Sequence, residues 1–88
     1  MRSGPVTKGI RMTFRIQIAS PPDRERVVAE IYAEERFVAL VAHSENPENG
    51  KFEIEFPGPE VDQDLVQRTV DLDTLLHAVA RARAALDR

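Results

Sequence analysis

The chain has 88 residues, 42% of them hydrophobic and 31% charged, with a net charge of −3 and no cysteine. A domain of this size buries only roughly 60–65% of its unfolded surface, which leaves little room for an enclosed active site, and no apolar run approaches the ~18 residues of a membrane span. The lack of cysteine excludes disulfides, thiolate metal sites and cysteine nucleophiles, and fits a reducing cytoplasm.

Residues 1–11, MRSGPVTKGIR, carry cations with no apolar stretch after them. They read as an N-terminal extension rather than a secretory signal, with Met12 as a candidate second start and residues 12–88 as a single domain. In TFRIQI, Phe14, Ile16 and Ile18 alternate with polar residues, the period-2 pattern of a half-buried strand. Ser20-Pro21-Pro22-Asp23 stops it, because consecutive prolines remove ladder donors. VVAEIYAE places Val27, Ala29, Ile31 and Ala33 on one face and Val28, Glu30, Tyr32 and Glu34 on the other. RFVALVAH is apolar on both faces, as a central strand would be. The turn between these two strands, around Glu34-Glu35, lacks the Gly or Asn that two-residue turns favour. The register, and the parity of the third strand that faces the core, therefore stay open by one residue.

Asn46-Pro47 and Asn49-Gly50 signal a turn into the strand KFEIEF, with Phe52, Ile54 and Phe56 inward and Glu53 and Glu55 outward. Pro57-Gly58-Pro59 ends it, and an acidic connection follows in which VQRTV adds a short extended piece. From Asp71 the period becomes helical. Leu72, Leu75, Leu76, Val79, Ala82 and Leu86 share a stripe, Asp71 suits an N-cap, and arginines gather toward the C-terminal end. The expected fold is α+β: a four-stranded antiparallel meander with one C-terminal helix packed on one face, ββββα.

The charge is uneven. Residues 1–26 hold six cations and two anions, residues 30–73 three cations and twelve anions, and residues 74–88 three cations and one anion, so the middle stands at −9. Such a field repels nucleic acid and anionic membrane and attracts a basic protein. On the helix-free face Glu30, Glu53 and Glu55 should surround Tyr32 and an aliphatic strip, and Glu60, Asp62 and Asp64 extend the acid along the connection. These seven residues are the candidate partner-binding set. An apolar centre within a charged rim is the composition of an interface.

Catalysis and cofactors find less support. Glu53 and Glu55 share a strand face about 7 Å apart with no cleft to raise a pKa. His43 and His77 lie 34 residues apart without metal-ligand spacing. Adjacent His43 and Ser44 point to opposite strand faces, which breaks a Ser/His/acid arrangement. The turn HSENPENGK lacks the glycine spacing of a phosphate loop. No enzyme activity, metal or cofactor is expected.

The stretch from Ile16 to Leu86, with IASPPDRERVVAEIYAEE, FVALV, GKFEIEF and DLDTLLHAVARARAAL, resembles small bacterial immunity proteins of interbacterial toxin systems, including those of contact-dependent growth inhibition. The likeness rests on element order, the acidic hairpin strand and the final helix. It implies a cytoplasmic inhibitor that binds one cognate toxin domain, basic if that domain is a nuclease, and it assigns no residue roles. The alternative from the residues alone is a homodimeric interaction protein whose half-apolar sheet face is buried by self-association.

Overall fold

The computed structural model describes residues 13–46, 48 and 50–87. The expected extension over residues 1–11, Met12, and Pro47 and Asn49 of the expected turn lie outside the described residues. Strands β1 (Phe14–Ala19), β2 (Val28–Ala33), β3 (Arg36–His43) and β4 (Phe52–Glu55) pair in that order in one antiparallel sheet, and helix α1 (Leu72–Leu86) follows. The architecture is ββββα, an α+β fold with an open sheet. Among the described residues no helix is long and apolar enough to cross a membrane.

The turn joining β2 to β3 uses two glutamates at positive φ, 52° at Glu34 and 73° at Glu35. Left-handed backbone costs a non-glycine residue about 1–2 kcal/mol. Local bonds offset this. The Glu34 N–H donates to the Thr13 carbonyl at 3.1 Å, the Thr13 N–H donates to Glu34 Oε2 at 2.5 Å, and Arg15 lies 3.8 Å from Glu35.

Just beyond the turn the ladder slips. Ile31 pairs with Ala39 but Tyr32 pairs with Phe37, so Val38 is an extra residue, a β-bulge. The bulge changes parity within β3. Phe37 shares a face with Tyr32, whereas Leu40 and Ala42 share that same face with Glu30, Glu53 and Glu55. The open question of which parity faces the core thus has a divided answer: even-numbered positions (Arg36, Val38) up to the bulge and odd-numbered ones (Ala39, Val41) after it.

The core lies between the sheet and α1. Ala29, Ile31 and Ala33 of β2 and Val38, Ala39 and Val41 of β3 meet Ala78, Ala82 and Leu86 of the helix, with Phe14, Ile16, Phe52, Val70, Leu75 and Val79 around them. Two alanines in the helix seam allow the helix backbone to sit close to the sheet. The expected leucine stripe is corrected in part, because Leu72 is 65% and Leu76 55% exposed while Ala78 takes a buried place. Phe56, expected inward, is 64% exposed because β4 ends at Glu55 and the chain leaves the sheet. Ile54 and Ile18 are also exposed although they sit on the helix side.

Asp71 caps α1, accepting the Thr74 N–H at 2.9 Å and the Thr74 hydroxyl at 2.8 Å. Ahead of it, the acidic connection holds one 3₁₀ turn, Gln63–Leu65, in which Asp62 accepts the Asp64 N–H at 2.9 Å. The extended piece expected in VQRTV reduces to Val66, which bridges Phe37 in parallel, with the Gln67 N–H donating to the Phe37 carbonyl at 2.9 Å. The outer edge of β3 is therefore shared, by Val66 at its start and by β4 from Leu40 onward.

Candidate protein-binding surface

Strand register places the expected acidic residues on the helix-free face in rows. Gln17, Glu30, Leu40 and Glu55 lie side by side across the four strands, with Ala19, Val28, Ala42 and Glu53 in the next row and Arg15, Tyr32 and Phe37 on the other side. Glu30, Tyr32, Glu53 and Glu55 do share one face. Glu60, Asp62 and Asp64 lie apart from it, exposed on the connection that follows β4.

Each residue of the sheet-face set has an internal partner. The Tyr32 hydroxyl donates to Glu30 Oε1 at 3.0 Å, and the Arg15 guanidinium stacks over the Tyr32 ring at 4.4 Å, while Phe37 meets that ring edge-on at 5.7 Å between centroids. Burial and the bond to Glu30 push the Tyr32 phenol above its ordinary value, with the Arg15 charge opposing. The Ser44 hydroxyl donates to Glu53 Oε2 at 3.0 Å, and Arg24 Nη2 donates to Glu55 Oε2 at 2.5 Å. The bond to Glu55 raises the Arg24 guanidinium further above its ordinary value, against a lowering by burial.

Arg24 belongs to the β1–β2 loop, so its reach to β4 draws that loop across the sheet. A turn closed by the Arg24 N–H on the Pro21 carbonyl sets the direction. Val28 and Ala42, on the face without the helix, are each only 1% exposed as a result. The expected aliphatic strip is thus partly covered by the chain itself. A half-open groove of about 490 Å³ runs beside the loop, lined by Arg24, Arg26, Val28, Ala42, Ser44 and Glu45. The Arg24–Glu55 pair was not foreseeable from sequence: 31 residues separate its members and no local pattern joins them.

The larger apolar exposure lies on the helix side, over β4. Helix α1 packs on β1, β2 and β3 and reaches β4 through Arg83, whose guanidinium stands 5.5 Å from the Phe52 ring. Leu72, Leu76 and Arg83 occupy one flank of α1 by helical spacing, and the Arg83 contact puts that flank on the β4 side. At the other end Leu75 and Phe56 line a common groove of about 260 Å³ with Val38, Pro57, Val66 and Val70. The two ends fit: helix residues 72 to 83 rise about 16 Å and strand residues 52 to 56 about 13 Å. By this spacing helix and strand run antiparallel, and the exposed Leu72 and Leu76 of the helix and Ile54 and Phe56 of the strand side flank a trough, at one end of which lies the groove that Gln67 and Arg68 also line. In sequence, carboxylates follow β4 (Glu60, Asp62 and Asp64) and open the helix (Asp71 and Asp73), while Arg68 and Arg83 stand at the groove and over Phe52.

The Ser44 hydroxyl is engaged with the Asn46 carbonyl and Glu53, while the His43 ring lies 5.0 Å from that of Phe52. Among the described residues no group of three His, Asp or Glu side chains is placed to hold a metal ion. Comparison with protein-family models, curated proteins and solved structures gives no match to this chain.

Proposed function

We propose that this chain is a small acidic protein-binding module that engages a basic partner, acting in the cytoplasm as an immunity protein that neutralises a toxin domain. The observation that supports it is the exposure of large apolar side chains at Ile54, Phe56, Leu72 and Leu76 in a chain whose connection between β4 and α1 is rich in carboxylates. Desolvated apolar contacts supply lasting affinity, and a surrounding field of one sign steers a partner of the other. The contact surface so proposed centres on β4 and α1 rather than on the middle of the helix-free sheet face, where the chain's own loop covers Val28 and Ala42. A catalytic role has no place in this reading.

The test is photo-crosslinking from Leu76 and, separately, from Tyr32 in the source cell, followed by co-expression of the captured chain. The reading requires a basic captured chain whose association rate falls with salt and whose growth inhibition this protein relieves. Capture only of a second copy would favour the homodimer instead, and an acidic partner would overturn the electrostatic account.

A further inference from the structure

We propose that the outer edge of β4 takes up an extended segment of the partner as a fifth strand, apolar on the helix side and basic on the other. The inference rests on the reading of the chain as a binder of a basic protein. Among the described residues strand β4 is the last in the sheet, so one row of its backbone groups has no neighbouring strand there. Which groups these are follows from the ladder. The Ser44 N–H donates to the Lys51 carbonyl at 2.9 Å, in register with β3–β4, which makes Ser44–Lys51 a bonded pair and, two residues on, Ala42–Glu53 and Leu40–Glu55 as well. Glu53 and Glu55 therefore spend their amides on β3, and Phe52 and Ile54 turn theirs outward.

The same residues present apolar side chains on the helix side, next to the uncovered flank of α1. An added strand would lay alternate apolar residues against Ile54 and into the trough toward Leu76. Its intervening residues would fall beside Glu53 and Glu55 on the opposite face. Those carboxylates accept from Ser44 and Arg24 within the chain, and a carboxylate offers about four acceptor sites in all. A cation at these places is matched, and an anion is not.

Charge also decides between a partner and a second copy. Antiparallel pairing of β4 with itself must keep like faces together. The two registers centred on the strand then set Glu53 against Glu53 or Glu53 against Glu55. Like charges directly opposite disfavour both. A basic strand avoids this repulsion, so the edge selects a different chain. The edge is also short, bounded by Pro57, which lacks a donor, so the added strand is of three or four residues.

The probe is a blocked peptide alternating lysine and valine, Lys-Val-Lys-Val-Lys-Val, with a control in which glutamate replaces lysine, read by amide shifts and hydrogen exchange in isotopically labelled protein. Strand addition slows exchange at the Phe52 and Ile54 amides by about tenfold or more and leaves Glu53 and Glu55 unchanged. Ile54→Pro removes an outward donor without touching the bonds to β3 and abolishes binding. Leu76→Asp, which alters no backbone group, weakens it and guards against a folding defect in the proline variant. Peptide binding that perturbs only Glu30 and Tyr32 would overturn strand addition while leaving a basic-partner binder. Equal binding of the glutamate peptide, or none of either, would overturn both, and peptide-free protection of Ile54 that grows with protein concentration would give the edge to a second copy.

Discussion

Arg24 and Glu55, on the first loop and the last strand of the sheet, meet across two intervening strands. The pair fixes the β1–β2 loop over Val28 and Ala42, so its value is in the apolar surface it keeps covered as well as in charge. With side chains 24% and 43% exposed, solvent screens the pair. Arg24→Ala is expected to cost about 1 kcal/mol, with Glu55→Ala similar and the double variant less than the sum. Urea melts of the four proteins measure the coupling, and additive losses would mean that the pair does not act as a unit. Glu55→Lys is consequently not a silent surface change, since it sets a cation against Arg24.

Ile31 and Leu76 should behave oppositely. Ile31 is wholly buried under the helix, and Ile31→Ala is expected to lose about 2–5 kcal/mol. Leu76, exposed on the trough, should shift stability by about 0.5 kcal/mol or less when changed to alanine, while lowering partner affinity. Chemical denaturation of both variants separates burial from binding.

The order of strands, their hairpins and the helix were legible in the sequence because alternation in TFRIQI and KFEIEF and the stripe after Asp71 are strong signals. The slip at Val38 was not, since a run apolar on both faces, VALVA, satisfies either parity, and Glu34-Glu35 carries no turn signature. Leu72 and Leu76 read as core because their spacing fits a stripe, yet a helix resting on Ala78 and Ala82 has room beneath it only for the centre of that stripe. At the candidate site, the alternation gave Glu30, Tyr32, Glu53 and Glu55 a common face. It could not reveal Arg24 or Ser44 as their partners, because those contacts arise only when distant segments meet.

Tyr32 is the sole tyrosine, and the chain has no tryptophan, so phenolate absorbance reports it alone. Its raised folded pKa means that its contribution to stability is fully present below the unfolded value near 10 and is lost as pH rises through the folded one. Alkaline titration should show ionisation later in the native than in the denatured protein. Tyr32→Phe should remove that part of the alkaline loss of stability, and an identical titration in both states would contradict the Glu30 bond.

Asp71→Ala deletes the acceptor for the Thr74 N–H and hydroxyl. A loss of about 1 kcal/mol is expected, seen as an earlier thermal transition by circular dichroism, with Asp71→Asn recovering most of it. An unchanged transition in the alanine variant would show that the first turn of the helix is held from elsewhere.

Charge reversal at Glu60 and Asp64 offers the clean electrostatic test, as neither side chain caps an element or bonds across the sheet. Glu60→Lys with Asp64→Lys should leave the melting temperature nearly unchanged and slow association with a basic partner at low salt, with the difference shrinking as ionic strength rises. Stopped-flow rates over a salt series read this directly.

Strand order 1-2-3-4 also sets how the chain must find its shape. Among the described residues each strand pairs with its sequence neighbours, so the sheet can zip from hairpin to hairpin with little loop entropy to overcome, and the long closures are Arg24 onto Glu55, Val66 back to Phe37, and α1 onto β1, β2 and β3. The helix-side apolar face stays bare until α1, which follows the strands in the chain, arrives. During synthesis, with α1 still in the ribosome, a formed sheet would present Ile31 and Val41 to solvent. The time before helix docking is therefore when this chain is most open to aggregation.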